Sequence, residues 1–394
     1  MTTIHPRRRT AIQNALARAQ LDALFVRLGE NLLPLTGYWP AVWLSAALVL
    51  PDGEAIVVCP ETEAELAGEG WAQDVRTFRC WRFGDPDSEV SLIRLLKEAA
   101  REHGLTGRRI GYEGGFDLVG PAHVALEQPA AAIVTVRRIL SQAFGEVELV
   151  DATAELYAIR AVKTPAELER LRVTAEIAAF GLAAFREHSA PGRTEIEVAA
   201  AVEQAVMVQG TGYRGTRVAR ACAQVTAGRN TDAFWGYPTS RPYKIVEDDV
   251  VVIEMGVVAD GFWSDVARVR VAGCPSPVIA AMATAVCAAQ DAALAIVRPG
   301  VRAAEVDTAS HQTLLTHGFA PYVVHSLGHG LGFRYHEPTP RLDPDSTDLL
   351  EAGMMLALEP GIYIRGLGGV RYENNAFVTD QGAELLTTFD RALV

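Results

Sequence analysis

Two long apolar runs, Val250 to Ala259 and Phe262 to Ala272, are separated by Asp260-Gly261 alone. A two-residue Asp-Gly link between such runs closes an antiparallel hairpin, because both central residues need positive φ and this pair adopts it readily. The closure fixes the register: Ala259 faces Phe262, and Glu254 faces Ala267. Side chains alternate faces with period two, so Asp265 shares a face with Ala267 and stands diagonally beside Glu254. Diagonal neighbours lie about 7 Å apart at the backbone and closer at their side chains. Two carboxylates on one hairpin face repel, and are tolerated when a cation, a shared proton or a basic partner lies between them. The hairpin alone leaves two readings equally open, a metal ion and an ion pair with Arg268 or Arg270.

Three later segments carry further donors. In His325-Ser-Leu-Gly-His329-Gly-Leu-Gly-Phe-Arg-Tyr-His336-Glu337, three of the nine histidines of the chain fall close together. Glycines surround the middle one, and glycine lets backbone approach a neighbour closely. Glu359 ends an apolar strand just before Pro360-Gly361. Arg371 and Glu373 share a strand face in Gly-Gly-Val-Arg-Tyr-Glu. Glu254, Asp265, His329, Glu359 and Glu373 together are hard carboxylates plus imidazole, a set suited to one or two ions of manganese, iron, cobalt or zinc. All these donors are expected on strands, which supply the rigidity a catalytic site needs.

The chain has 394 residues, long for one hydrophobic core, so two domains are expected. A net charge of −12 argues against nucleic acid or an anionic membrane as partner, and Arg7-Arg8-Arg9 is too short a run to reverse it. No signal-like segment and no run of about twenty apolar residues stands out, so no membrane span is expected. Five scattered cysteines without a Cys-x-x-Cys pair suit a reduced, cytoplasmic protein.

The N-terminal part, residues 1–155, alternates helix and strand. A helix is expected over Ala11 to Ala19 and another over Val90 to His103. Strands are expected at Leu21 to Leu28, Ala46 to Leu50, Ala55 to Cys59, Arg109 to Tyr112 and Glu146 to Val150. This is an α/β domain. Thr164-Pro165-Ala166-Glu167 then starts a helix, with a cap, a proline at the first position and a closing glutamate. That helix runs to about His188, and a second follows from Thr194 to about Gln209. Beyond it, helices near Pro277 to Val297 and Ala303 to His317 interrupt strands at Val218 to Thr226, the hairpin, Tyr322 to Leu327, Met354 to Ile364 and Val370 to Thr379. Residues 156–394 therefore form an α+β domain.

The order Glu254, Asp265, His329 in Gly-His-Gly, Glu359 in Glu-Pro-Gly and Glu373 in Val-Arg-Tyr-Glu resembles the pita-bread superfamily of Xaa-Pro aminopeptidases, prolidases, methionine aminopeptidases and creatinase. Asn31-Leu-Leu-Pro-Leu-Thr-Gly-Tyr38 is similar to its creatinase-type N-terminal domain, and Lys163-Thr-Pro-Ala-Glu-Leu-Glu to its linker helix. The resemblance implies a small N-terminal α/β domain followed by a pita-bread catalytic domain, and a metal-dependent hydrolase of an amide or peptide bond. Asp265 and Glu373 would bridge two metals, His329 and Glu359 would complete one, and Glu254 the other. A metal-bound hydroxide would attack the carbonyl, with Glu359 handling the proton. His336 would stabilise the oxyanion, with His325, Arg371 and Tyr363 in supporting or substrate-binding places. A homodimer is implied as well, in which the loop from Tyr38 to Trp43 reaches the partner's site and places Trp43 against substrate.

Two positions depart from the family pattern. The peptidases carry Asp where Glu254 stands, one methylene shorter. They carry His where Trp235 stands, and indole has only a donor N–H. With Phe234 and Tyr237 nearby in sequence, an aromatic wall at Trp235 suits an apolar or cationic substrate. The alternative is therefore a specialised relative acting on a small amide, amidine or onium compound, either a creatinase-like hydrolase or a lyase.

Overall fold

The computed structural model describes residues 3–42, 44–115, 133–236 and 239–393. They divide between Arg160 and Ala161 into two compact units.

The first unit contains α1 (Pro6–Arg18), β1 (Ala23–Val26), α2 (Gly29–Thr36), β2 (Ala46–Val49), β3 (Ala55–Pro60), α3 (Ala64–Gly68) and β4 (Asp74–Phe78). It continues with α4 (Ser88–Glu102), β5 (Arg109–Tyr112), α5 (Ile133–Phe144), β6 (Glu148–Asp151) and α6 (Thr153–Ala161). Its sheet has the order β4-β3-β2-β1-β5-β6. The β2–β3 hairpin turns at Pro51-Asp52-Gly53 as expected, and β5 lies parallel to β1 and β6. Both sheet faces are covered, by Leu92, Leu96 and Leu140 on one side and by Ile12, Leu16 and Leu32 on the other. Helix α1 starts at Pro6 rather than Ala11, because the His5 ring accepts from the Arg7 N–H and Pro6 suits the first turn. The apolar run after Leu21 is strand only to Val26, since the chain turns into α2 at Gly29.

The second unit opens with α7 (Pro165–His188) and α8 (Glu195–Gly210), each closed by a capping box, Thr164 with Glu167 and Thr194 with Glu197. Strands β7 (Ala219–Ala227), β8 (Val250–Ala259) and β9 (Phe262–Val271) form an antiparallel sheet. Helices α9 (Pro277–Ile296) and α10 (Ala303–Thr316) follow. The remaining strands are β10 (Gly328–Gly330), β11 (Glu337–Leu342), β12 (Met355–Leu358), β13 (Gly361–Ile364), β14 (Gly368–Arg371), β15 (Asn374–Val378) and β16 (Ala383–Leu385). One sheet has the order β11-β10-β12-β15-β16, while β13 and β14 pair by themselves. Val251, Ile253, Met255 and Val257 of β8 pack on α7 and α8. Val252 and Val269 on the opposite face meet α9, β13 and β14. Period two puts Glu254 and Asp265 on this second face.

Three expectations are corrected. No strand covers Tyr322 to Leu327; the Leu327 N–H donates instead to the Asp307 carboxylate of α10, and strand begins only at Gly328. The strands expected at Met354 to Ile364 and Val370 to Thr379 each break, at Glu359-Pro360 and at Tyr372-Glu373. Pro360 has no N–H for a ladder, and each half joins a different sheet. Glu359 and Glu373 therefore lie at switch points between sheets, not within strands. Helix α9 is long and apolar enough to pass a test of length and composition for a membrane span, as core helices also do. Its Ile279, Met282, Val286 and Ala289 are buried in the core against β8, β9 and β14.

Candidate metal centre

The hairpin closes as its sequence requires. Asp260 and Gly261 take φ of 49° and 85°, Glu254 pairs with Ala267, and Gly256 with Asp265. Both carboxylates are buried. His329 sits at the middle of the three-residue β10, flanked by strands on both sides. Glycines make that squeeze feasible. A Cβ on Gly328 would run into the Ala357 carbonyl oxygen of β12, and one on Gly330 would meet the Thr339 oxygen of β11 at 2.5 Å.

The donors converge. Ligand atoms of Asp265, His329 and His336 lie within 4.8 Å of one another, as do those of His329, Glu359 and Glu373, and those of Glu254, Asp265 and Glu373. His329 Nε2 is 3.6 Å from both Asp265 Oδ2 and Glu359 Oε1. His336 stacks on His329 at 3.6 Å and brings its Nε2 to 3.5 Å from Asp265 Oδ2.

The protonation of His329 follows from its neighbours. Its Nδ1 lies 2.8 Å from the Gly330 carbonyl oxygen. A carbonyl only accepts, so Nδ1 carries the proton and Nε2 keeps its lone pair. That lone pair faces carboxylates. Neither oxygen of Asp265 or Glu373 receives a hydrogen bond, and His329 Nε2 has no partner. The Tyr335 hydroxyl lies near Asp265 as well, but its single proton goes to Glu254 Oε1 at 3.2 Å.

Arg371 partly offsets the negative charge. Its guanidinium is 2.5 Å from Glu254 Oε2 and 3.4 Å from Glu359 Oε2, and stands 4.7 Å from the centre of the Phe234 ring. The ion pairs considered for Arg268 and Arg270 do not form. Arg268 donates to the carbonyls of Ala267 and Glu373, and Arg270 to that of Arg186.

Burial first, and then repulsion from Glu254 and Glu359, holds Asp265 well above the usual carboxylate range. Burial and Asp265 do the same to Glu373. Burial pushes Glu359 up to about 8, against the pull of Arg371. Burial drives His325 and His329 down to about 4 and lowers His336 too, so these imidazoles are neutral at pH 7. Unpartnered carboxylate oxygens facing an imidazole lone pair form an environment that a cation relieves. The donor set fits a divalent metal.

His325 and Tyr363 pair beside this cluster. The His325 Nδ1 donates to the Ser326 carbonyl at 2.7 Å, so Nε2 accepts the Tyr363 hydroxyl at 3.0 Å. Trp235 follows the Phe234 that underlies Arg371, and is half-exposed. Trp43 and Tyr237 lie outside the described residues. Sequence reasoning missed Tyr335 and also Asn375. The Asn375 side chain accepts from the Asp265 N–H at 3.1 Å and donates to the Asp265 carbonyl at 2.6 Å. Its signal was a pair of asparagines directly after Glu373, on a strand otherwise apolar.

A centre of this kind, with donors gathered from three strands and two switch points, defines a metallohydrolase. Residues 169–380 match the model of metallopeptidase family M24, and residues 8–162 match the creatinase/prolidase N-terminal domain. The chain belongs to metallopeptidase family M24 and is a metal-dependent hydrolase of peptide bonds. It is 28% identical to a putative dipeptidase of Bacillus subtilis over 390 residues, covering 97% of this chain and 98% of that one. It is 33% identical to an Xaa-Pro dipeptidase of Pyrococcus furiosus over 242 residues, covering 60% of this chain and 66% of that one. The solved prolidase from Pyrococcus furiosus superposes with a TM-score of 0.77 at 26% identity, over 96% of this chain and all (100%) of that one.

Proposed function

We propose that the protein is an Xaa-Pro dipeptidase whose metal is held by Asp265, His329, Glu359 and Glu373, with Glu254 as the fifth ligand. The observation that carries this reading is the His329 lone pair converging with the unpartnered oxygens of Asp265 and Glu373. The names of the relatives supply the substrate class. Residues 1–155 form the accessory domain and 156–394 the catalytic domain. The ion is manganese, cobalt, zinc or iron, and the protein works as a cytoplasmic homodimer; its cysteines, all free thiols, suit that compartment.

A divalent ion here supplies Lewis acidity toward the peptide carbonyl and lowers the pKa of a water nucleophile. The protein's own groups do the rest. Glu359, the most exposed carboxylate of the cluster, takes and releases the proton bound for the leaving amine. His336 is the donor to the developing oxyanion. Arg371 holds Glu254 and Glu359 in place. Tyr363 orients His325 toward substrate.

The test is to strip the protein with chelator, reload it separately with manganese, cobalt, zinc and iron, and assay Ala-Pro and Gly-Pro against Ala-Ala. Chelation should abolish hydrolysis and one ion should restore it, with proline dipeptides preferred. Activity that survives chelation, or indifference to proline, overturns the reading.

Half-exposed Trp235, together with Glu254 tied to Arg371 and Tyr335, favours one second reading: hydrolysis of, or elimination from, a small cationic compound. Trp235→His should then raise activity on Ala-Pro. No change in that activity removes this alternative.

A further inference from the structure

Helix α9 is built almost wholly of alanine and branched aliphatic residues, yet it buries one amide completely, that of Gln290. A buried primary amide is costly unless its two N–H groups and its oxygen lone pairs are all used. In Gln290 they are. Nε2 donates to the carbonyl oxygen of Leu358 at 2.9 Å and to that of Tyr372 at 3.0 Å. Oε1 accepts from Asn374 Nδ2 at 2.7 Å and from Arg391 at 3.1 Å.

The two carbonyls have a particular place in the chain. Leu358 directly precedes Glu359, and Tyr372 directly precedes Glu373. Both glutamates stand at the switch points where the chain leaves one sheet for another, and each backbone N–H makes one bond to a neighbouring segment, Glu359 to the Leu327 carbonyl at 2.8 Å and Glu373 to the Ala267 carbonyl at 3.1 Å. One amide group ties the two switch points to each other and to a helix. The same amide orders Asn374, whose oxygen accepts from Arg268, and Arg268 in turn donates to the Glu373 carbonyl.

Resting on the metal-centre reading above, we infer that Gln290 is a positioning residue of the centre: it sets the spacing of Glu359 and Glu373 without touching ion or substrate. Outer partners that orient ligands typically govern metal affinity about 10- to 100-fold when removed.

The experiment measures Mn²⁺ binding to the metal-free protein by calorimetry, with kcat and KM alongside. Gln290→Met removes all four hydrogen bonds at nearly constant volume. Gln290→Glu keeps the two acceptor contacts, gains an ion pair with Arg391, and sets a carboxylate oxygen against the Leu358 and Tyr372 carbonyl oxygens, so repulsion between the switch points replaces the two donated bonds. It therefore carries the test even where Gln290→Met does not fold. Met282→Ala, on the same helix and buried in the same core but outside the network, controls for lost stability. Both Gln290 variants should weaken Mn²⁺ by about tenfold or more and lower kcat more than they change KM, while Met282→Ala lowers Tm and leaves the affinity within about twofold. Wild-type affinity in Gln290→Glu overturns the inference, as does an equal loss in Met282→Ala. A wild-type protein that binds no Mn²⁺, Co²⁺, Zn²⁺ or Fe²⁺ instead overturns the metal-centre reading itself.

Discussion

Two buried acids of the first unit and two of the metal centre meet opposite surroundings. In the first unit Glu63 accepts the Tyr38 hydroxyl at 2.7 Å and the N–H groups of Ala41 and Val42 at 2.7 and 3.1 Å. Glu113 accepts from the N–H groups of Arg27 and Leu28 at 2.9 and 3.0 Å and from the Asn31 amide at 2.8 Å. In the second unit Asp265 and Glu373 are buried more deeply, and no oxygen of either receives a hydrogen bond. A buried acid ringed by donors is a structural fastener. A buried acid ringed by other acids stores repulsion that only a proton or a cation relieves. Burial is common to both regions, so the inventory of partners is what separates scaffold from site.

The sharpest challenge to this contrast is Asp265→Asn. Activity should fall by about 1000-fold or more, equivalent to about 4 kcal/mol of transition-state stabilisation, with bound metal lost in elemental analysis. The metal-free variant should melt at or above the wild-type temperature, because folding no longer has to bury a repelled acid or hold a proton on it. A lower Tm for metal-free Asp265→Asn would break the comparison.

Glu63→Ala should behave the other way. Two N–H groups and a buried hydroxyl lose their acceptor, at a cost of about 3 kcal/mol in the first unit, while Mn²⁺ affinity stays at the wild-type level. Chemical denaturation followed by calorimetric titration reads both quantities.

A smaller effect sharpens the picture through pH. Without metal, Glu359 titrates near 8, above its ordinary carboxylate value, so the folded protein holds a proton there that the unfolded chain releases. Its contribution to stability is therefore complete in acid and is lost as pH rises through about 8. Metal-free protein should melt lower at pH 8 than at pH 5.5. Ion binding at pH 7 should expel protons, seen as buffer-dependent binding enthalpy, and affinity should climb with pH.

Much of the site was legible where local rules decide geometry. Asp260-Gly261 set the register, and period two put Glu254 and Asp265 on one face. The capping box of Thr164 and Glu167 fixed where α7 begins. What local rules cannot supply is which distant group answers a charge. Arg268 and Arg270 lay nearest in sequence, yet Arg371, far along the chain, holds Glu254. The breaks at Glu359 and Glu373 were hidden because an apolar run looks the same whether its two halves share a sheet or part company.

The placement of Glu359 and Glu373 at sheet switch points also governs when the ion can arrive. Donors strung from Asp265 to Glu373 meet only after β9, β10, β12 and β15 have docked, the last of them close to the C-terminus. The metal cannot nucleate this fold as a zinc ion nucleates a small finger domain. An ion held by these donors would tie together segments far apart in the chain, so its binding would stabilise the assembled second unit as a whole rather than any one local segment.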